Sequence, residues 1–485
     1  MKKTFFGFLL CILTLFYSLN IFSQNNHQIV IAFSPTTPQQ YIDSVKSALH
    51  ATEVGISYPS RSRLWESPLF DAANNSLHGI EEDHQNTGTA KTKIQSFGLN
   101  DTLFVGNNDY STTTYNCYSI CDYPTNQGTN IKIALVDTGI DTTHQGLSDA
   151  RFWANTNEIS NGIDDDANGF VDDTNGWNFV DDNPHNLDPN SHGTHLAGIM
   201  YQVFSQYQIA NNVAIMNLKT QDSTGYGTLW NTIRAIDYAN SNGAKVINLS
   251  LGTYYIMPAM NGIAHPLQYA IDIAASNQVL VVASAGNDMT NTDIVPHYPS
   301  SFNSANLLSV MSVDCNNNQS WFTNYGSNTT HIAAPGDNIK STIPNNMYAY
   351  KSGTSMATAY ITAIAALLYT YQNTFDAITV KDAILQTASF ANLPNSSHGV
   401  VNPCGAIHYL INGANKQEQL QTIVMYSPNT TTLYNLNGQA IWQSSDLVTA
   451  EHLFEIQGLQ NLPTGMYILH SQNNLTNQIQ KIVKP

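Results

Sequence analysis

The chain has 485 residues, with 18 Lys and Arg against 35 Asp and Glu and a formal net charge of −17. That length exceeds one small domain and leaves room for a large core with smaller modules around it. The acidic balance excludes charge-driven attraction to DNA, RNA or anionic membrane, because such binding needs clustered Lys and Arg.

Met1-Lys2-Lys3 is a short basic start, followed by an apolar run from Phe5 to Tyr17, a mixed stretch to Phe22 and polar Ser23 to Asn26. This order is that of a signal peptide over residues 1–24, cut near Ser23 or Gln24. A transmembrane anchor is the competing reading, but the apolar run is short for a bilayer and no stable membrane insertion is expected. Cys11 follows Leu9-Leu10 where a lipid attachment site would carry small residues, so it is set aside. Export leaves four cysteines, Cys117, Cys121, Cys315 and Cys404, too few for a disulfide-built scaffold but enough to oxidise one or two pairs. Proximity favours Cys117 with Cys121; unbonded thiols are the alternative, and a zinc site lacks a second pair of ligands.

Residues 27–33 read as a strand, and Tyr41, Val45 and Leu49 stand at helical spacing between Pro38 and Leu49. From Asn74 to Asn130 the pattern weakens into Asn, Thr and Gly-rich sequence, which suits an exposed, cleavable connection. Residues 25–115 are therefore either a structured N-terminal extension or a small α+β pro-region with its linker.

The middle of the chain carries continuous apolar runs at Ile131–Val136, Val213–Leu218, Val246–Leu251, Val279–Ala283 and Leu307–Val313. Helical patterns lie between them, for instance Leu229, Ile233, Ile236 and Ala239 ahead of Asn242-Gly243. Such runs predict an α/β fold over residues 116–411, a mostly parallel sheet covered by helices on both faces. In sheets of this kind sites form at the carboxyl ends of the strands. After Ile411 a linker (412–421) leads to short strands alternating with turns: Thr422–Tyr426, Thr432–Leu436, Leu453–Ile456, Met466–His470 and Ile479–Val483. Asn437-Gly438 and Thr464-Gly465 supply the turns, and residues 422–485 read as a small β-sandwich.

Three segments carry reactive side chains. Asp137 closes the run Ile131–Val136 and precedes Thr138-Gly139, so its carboxylate emerges at a strand's carboxyl end; alone it is a turn cap. His192 and His195 open an apolar helix, with no Glu between them to make a zinc-protease pattern, and spacing does not choose between them as a base. Ser355, in Gly353-Thr-Ser-Met-Ala357, stands at the start of the most apolar helix, where the helix dipole favours negative charge; alone it is an N-cap.

Taken together, Val136-Asp-Thr-Gly139, His192-Gly-Thr-His-Leu-Ala-Gly198 and Gly353-Thr-Ser-Met-Ala357 resemble the subtilisin-like serine peptidases in motif and in order. The resemblance covers roughly Ile131 to Tyr409 and selects His192 over His195 as general base, with Ser355 as nucleophile and Asp137 as the acid that orients the imidazole. It also implies that Asn287, in Ala283-Ser-Ala-Gly-Asn287, donates to the oxyanion beside the Ser355 backbone N–H. Ser250-Leu251-Gly252 and Gly225-Tyr226-Gly227 take the places of the two walls that pair with an extended peptide. Where the family continues after the nucleophile with Pro-His and later Gly, this chain has Ala359-Tyr360 and Ala363, which alters the pocket floor. The implied activity is a secreted endopeptidase acting on protein or peptide substrates, its pro-region covering the site until cut. A catalytically silent surface protein that only binds peptides is the other reading.

Between Glu158 and Asp182, Asn161-Gly162, Asn168-Gly169 and Asn175-Gly176 recur every seven residues, with Asp164, Asp165, Asp166, Asp172 and Asp173 among them and no Lys or Arg from Phe152 to Ser191. So dense an acidic loop repels itself without a counter-ion. Asp164, Asp166, Asn168, the Phe170 carbonyl and Asp172 match the alternating oxygen ligands of a calcium loop, although Asn175 stands where a bidentate Glu is expected. The alternative is a solvated acidic loop. Finally, Leu433–Gly438, Leu462–Ile468 and Lys481–Lys484 resemble the C-terminal sorting domain of type IX secretion, which implies the machinery of that pathway as a partner. An adhesive or carbohydrate-binding module is the alternative there.

Overall fold

The computed structural model describes residues 129–254 and 265–411 throughout. In the flanks it describes segments 19–25, 28–33, 39–48, 51–60, 62–66, 70–71, 76–77, 93–95, 430–434, 440–444, 465–472 and 477–484. The basic start and apolar run of the expected signal peptide, and Cys117 and Cys121, lie outside the described residues.

The N-terminal unit is a four-stranded antiparallel sheet with one helix. Strands β1 (Leu19–Asn25) and β2 (Gln28–Phe33) pair, helix α1 (Gln39–Ala48) follows, and β3 (Thr52–Ser57) and β4 (Ser62–Glu66) complete the order β1-β2-β4-β3. A short strand β5 (Lys93–Gln95) stands apart from it.

The α/β body begins with β6 (Ile131–Asp137), then β7 (Gly176–Asn178), α2 (His192–Gln206) and β8 (Val213–Lys219). It continues with β9 (Tyr226–Thr228), α3 (Leu229–Ser241), β10 (Val246–Leu249), α4 (Pro266–Ser276), β11 (Leu280–Ser284) and β12 (Leu307–Val313). After β13 (Ile332–Pro335) come the hairpin β14 (Ile339–Ile343) and β15 (Met347–Lys351), then α5 (Thr354–Tyr371), α6 (Ala377–Gln386), β16 (Ser389–Phe390), β17 (Gly399–Val400) and α7 (Pro403–Ile411). The main sheet runs β7-β8-β6-β10-β11-β12-β13-β17-β16 and is parallel except at its last pair.

Successive side chains of a strand point to opposite faces, and here both faces are covered. Ile131, Ile133 and Leu135 pack with Leu196, Met200 and Val203 of α2 and Ile361, Ile364 and Leu368 of α5. Ala134 and Val136 turn the other way, onto Ile233 and Ile236 of α3 and Leu267 and Ile271 of α4. That double burial is why the strands read as unbroken apolar runs. Helix α5 is buried along nearly its whole circumference and passes through Ala359 and Tyr360 without a break. Strand β10 ends at Leu249, short of the expected Leu251, because the chain leaves the sheet at Ser250.

Cys315 and Cys404 are each disulfide-bonded. At the C-terminus β18 (Thr430–Tyr434), β19 (Ala440–Ser444), β20 (Gly465–Gln472) and β21 (Asn477–Lys484) form one antiparallel sheet in the order β19-β18-β20-β21. Strand β19 was not anticipated, and the strands expected at 422–426 and 453–456 lie outside the described residues. Among the described residues no helix is long and apolar enough to cross a membrane.

Candidate active site

The first group sits where the sheet releases the chain. Asp137 ends β6, and its Oδ1 accepts from His192 Nδ1 at 2.8 Å and from the Thr138 backbone N–H at 2.8 Å. His192 opens α2, whose first turn lies so close that a Cβ on Gly193 would stand 2.1 Å from the Gly139 carbonyl oxygen. Only glycine at 193 lets the helix approach the Asp137 turn.

A residue that the sequence reading missed holds this helix end. Asp188 Oδ1 accepts from the N–H groups of Asn190 and Ser191 and from Thr138 Oγ1, while Oδ2 accepts from the N–H and Oγ1 of Thr194. Five donors on one buried carboxylate satisfy the orphan amides of the helix start and tie it to the turn after Asp137. Ser191, the residue before the helix, has φ 88° and makes no side-chain cap. The sequence signal was present in Asp188-Pro-Asn-Ser191, an acidic residue four before the helical histidine.

The two histidines separate cleanly. His195 is fully buried, and its Nε2 faces the carbonyls of Ile339 and Ala349, both at 3.1 Å, so this nitrogen donates. Burial first, then nearby Lys351, holds its pKa well below the ordinary value, which keeps the ring neutral and structural. His192 instead faces a carboxylate with Nδ1, and its Nε2 is buried and makes no hydrogen bond among the described residues.

Ser355 lies in the first turn of α5, which packs against α2. Its Oγ hydroxyl is directed at the Ser250 carbonyl at 3.4 Å, and Ser250 Oγ returns a bond to the Ser355 carbonyl at 3.1 Å. His192 Nε2 makes no hydrogen bond to Ser355 here. Four residues before Ser355, Lys351 Nζ donates to Ser191 Oγ at 3.0 Å, linking the segments that carry the serine and the histidine. Asp137, His192 and Ser355 are 0%, 2% and 1% exposed, which removes water from around them and strengthens every charge interaction.

Asn287 follows β11, and its Oδ1 accepts from the N–H of Thr354 at 2.8 Å and from Thr354 Oγ1 at 2.9 Å. With the carbonyl end so held, the amide NH2 end is turned the other way. Ser250, Leu251 and Gly252 leave β10 as one buried segment, while Gly225 precedes β9 and Tyr226 and Gly227 lie in it. Against β9 the backbone of Lys93–Gln95 pairs antiparallel, Gln95 opposite Tyr226 and Lys93 opposite Thr228. Lys219, also not anticipated, stands in register with Asp137 on the neighbouring strand and donates from Nζ to the carbonyls of Thr138 and Gln221. Its pKa is lowered by burial.

The acidic loop brings two of the expected carboxylates, Asp164 and Asp166, together with Glu158. Carboxylate oxygens of Glu158, Asp164 and Asp166 lie within 4.8 Å of one another. Glu158 was not anticipated as a member; it reaches in from the start of the loop, its oxygens accepting from the N–H groups of Asp166 and Asp172. Asp172 turns away because the backbone N–H groups of Asn161 and Gly162 occupy its carboxylate. Asn168 uses its side-chain oxygen on the Phe170 N–H and its amide on Asp173. Asp173, fully buried, bonds Tyr238 and Asn155 and anchors the loop to α3. Three convergent carboxylates with only oxygen donors fit a hard cation such as calcium.

A buried carboxylate–imidazole pair at the carboxyl ends of parallel strands, with a serine in the first turn of a buried helix, defines a serine-hydrolase type of site. The Subtilase family (Peptidase S8) matches residues 128–406, more than half of the chain, so the chain belongs to that family and carries a serine-type endopeptidase domain. Thermitase of Thermoactinomyces vulgaris is 35% identical over 289 residues, covering 58% of this chain and 90% of thermitase. Subtilisin DY of Bacillus licheniformis is 30% identical over 283 residues, covering 57% of this chain and 90% of the subtilisin. Subtilisin-like protease 2 of Plasmodium falciparum is 32% identical over 270 residues, and there the match spans only 19% of the relative's length. Among solved structures, a cold adapted subtilisin-like serine proteinase is 27% identical, covering 57% of this chain and 88% of that one, with a TM-score of 0.44.

Proposed function

We propose that this protein is a secreted serine endopeptidase that cuts proteins through Asp137, His192 and Ser355. The observation that carries the reading is the 2.8 Å contact between His192 Nδ1 and Asp137 Oδ1, which leaves Nε2 as the nitrogen open to proton transfer. As Ser355 Oγ attacks a peptide carbonyl, its proton passes to His192 Nε2, and Asp137 stabilises the imidazolium. The carbonyl oxygen becomes an oxyanion that the Asn287 amide and the Ser355 N–H stabilise. The C–N bond then breaks, Nε2 returns the proton to the leaving amine, and water releases the acyl group by the same route.

Substrate lies extended between Ser250–Gly252 and Gly225–Gly227 and is held mainly by backbone pairing, which admits unfolded protein of varied sequence. Residues 25–115 act as a pro-region; the pairing of Lys93–Gln95 with Tyr226–Thr228 supports this, since it uses the edge a substrate needs. Calcium at Glu158, Asp164 and Asp166 neutralises the loop. The signal peptide directs export, and the C-terminal sheet serves as an address for type IX secretion.

The test is labelling with a fluorophosphonate probe together with casein hydrolysis. Wild-type protein is expected to react at Ser355 and to cut casein; a folded protein that binds peptide without reacting would restore the silent-binder reading. Truncation at about Asn412 is expected to hold an active protein in the periplasm, and normal export of the truncated form would remove the sorting role.

A further inference from the structure

Beyond Lys219 the chain reverses and brings β9 back beside the end of β8. The Asp222 N–H donates to the Tyr226 carbonyl at 2.8 Å and the Gly225 N–H to the Asp222 carbonyl at 3.0 Å. In this reversal Gln221 stands opposite Gly227 as an antiparallel pair. On the outer edge of β9 the same Gly227 is paired with residue 94. One row therefore crosses three segments: Gln221, Gly227, and the residue of whatever strand is seated on β9. Residues directly opposite each other in antiparallel strands project from the same face, so Gln221 shares a face with that occupant. The middle place has no side chain to separate them, and it has no room for one. A Cβ at Gly227 would stand 3.0 Å from Gln221 Cγ and 2.5 Å from the Thr220 carbonyl oxygen. The Gln221 side chain thus leans over Gly227, toward the edge on which a peptide lies.

The backbone of Gln221 is engaged, and its side chain is not. Its N–H donates to the Asp137 carbonyl at 3.3 Å, and its carbonyl accepts from Lys219 Nζ at 2.8 Å. The side chain is 0% exposed, yet neither Nε2 nor Oε1 makes a hydrogen bond among the described residues. A buried donor and a buried acceptor left unmet each cost their full desolvation, which an apolar side chain of the same length would avoid. The fold gains nothing from a carboxamide at this place, whereas a ligand does.

We propose that Gln221 is a specificity-determining residue of the peptide cleft, which selects substrates carrying glutamine at the residue seated opposite Gly227. The inference deepens the peptidase reading above and rests on β9 being a wall for substrate. Two strand spacings, about 10 Å, separate the Cα of Gln221 from that of the seated residue, a gap that two long side chains close between them while asparagine falls short. A carboxamide both donates and accepts, so a pair of them satisfies both ends of Gln221 at once; a carboxylate offers acceptors only and an ammonium donors only. An apolar side chain displaces solvent from Gln221 without replacing its hydrogen bonds, and so loses affinity. The residue that the chain itself sets opposite Gly227 is Ile94, a residue type with no side-chain donor or acceptor, so this segment is not the matched ligand.

The experiment measures kcat/KM of the active protein on peptides of one common sequence with a chromogenic amide at the scissile bond. Glutamine, or methionine as its unbranched apolar match in length, is placed in turn at the second to the fifth residue before the cut. Wild type is expected to favour glutamine over methionine by about tenfold to a hundredfold at one position, expressed mainly in KM, and to be indifferent at the others. In Gln221→Met that ratio is expected to fall to one or below, while Tm holds or rises because two unmet groups have left the interior. Equal rates for the two peptides at every position in wild type overturn the proposal, whatever the variant does. A glutamine preference that survives in Gln221→Met overturns it as well, and if Tm also falls, Gln221 is a structural residue. Labelling at Ser355 by a fluorophosphonate separates this inference from the reading it rests on. A protein that labels and cuts all the peptides alike loses the Gln221 role alone; one that neither labels nor cuts loses the peptidase reading and the Gln221 role with it.

Discussion

Two regions of this molecule hold carboxylates with backbone N–H groups and use them for opposite ends. At the Asp137 corner one acid sits at the end of a buried strand, faces an imidazole, and is framed by regular elements on every side. In the 158–173 loop several acids crowd an exposed turn whose backbone takes positive φ at Gly162, Ala167, Gly169 and Asp172. The first arrangement fixes one side chain to a fraction of an ångström, as proton transfer requires. The second leaves uncompensated charge, as ion binding requires. The first region should therefore govern rate and the second stability, and variants in each can break that division.

The largest expected effect is at Ser355. Ser355→Ala should lower kcat by on the order of 10⁶, the magnitude known for subtilisin itself and carried over from it. The melting temperature should stay within a degree or two, because the hydroxyl's contact to the Ser250 carbonyl is long, at 3.4 Å. Retained casein hydrolysis would end the assignment.

Asn287→Ala comes next, at about a hundredfold to a thousandfold in kcat with little change in KM, because an oxyanion donor acts only once charge has developed. Thr354 would lose the acceptor for its N–H, so a small loss of stability should accompany it. A rise in KM at constant kcat would instead make Asn287 a substrate-binding residue.

Asp188→Ala probes the joint between rate and stability. Loss of the helix cap should lower stability by about 1–2 kcal/mol. The loosened His192 should lower kcat by roughly tenfold to a hundredfold. Asp188→Asn, which keeps the shape and part of the acceptor capacity, should recover most of the stability. If both variants change Tm alone, Asp188 is a structural cap and the histidine is steadied by Gly193 and Asp137 without it.

What the sequence disclosed follows the same division. Strands β6, β8, β10, β11 and β12 were legible because double burial writes them as unbroken apolar runs, and α5 because it is apolar on all sides. Asp137, His192 and Ser355 were legible through their ordered motifs, although periodicity left His192 and His195 equivalent. They differ only in what faces them across the fold, a carboxylate for one and two carbonyls for the other. Asp188, Lys219 and Glu158 were missed for a related reason: each acts on residues brought to it by chain reversal. The expected role of Asp172 rested on a spacing rule for one loop geometry, which does not show that its carboxylate accepts from the Asn161 and Gly162 N–H groups.

The smallest expected effect on rate, and the clearest test of the division, is in the acidic loop. Chelation of calcium should lower the melting temperature while leaving initial rates on a small peptide substrate unchanged. At a hundredfold excess over Kd, a bound ion adds about 2.7 kcal/mol, which for a domain of this size moves Tm by about 4–5 °C. Glu158→Gln should remove most of that calcium response. Its own Tm without calcium should change little, because relief of the repulsion among three carboxylates offsets the bond from the Asp172 N–H that an amide NH2 cannot accept. Asp172→Asn should leave the calcium response in place, since that carboxylate serves the Asn161 and Gly162 amides and not the cluster. A melt indifferent to calcium in the wild type would make the loop a solvated one. A calcium response lost through Asp172 but kept through Glu158 would move the ion to the ligand set that spacing alone suggested.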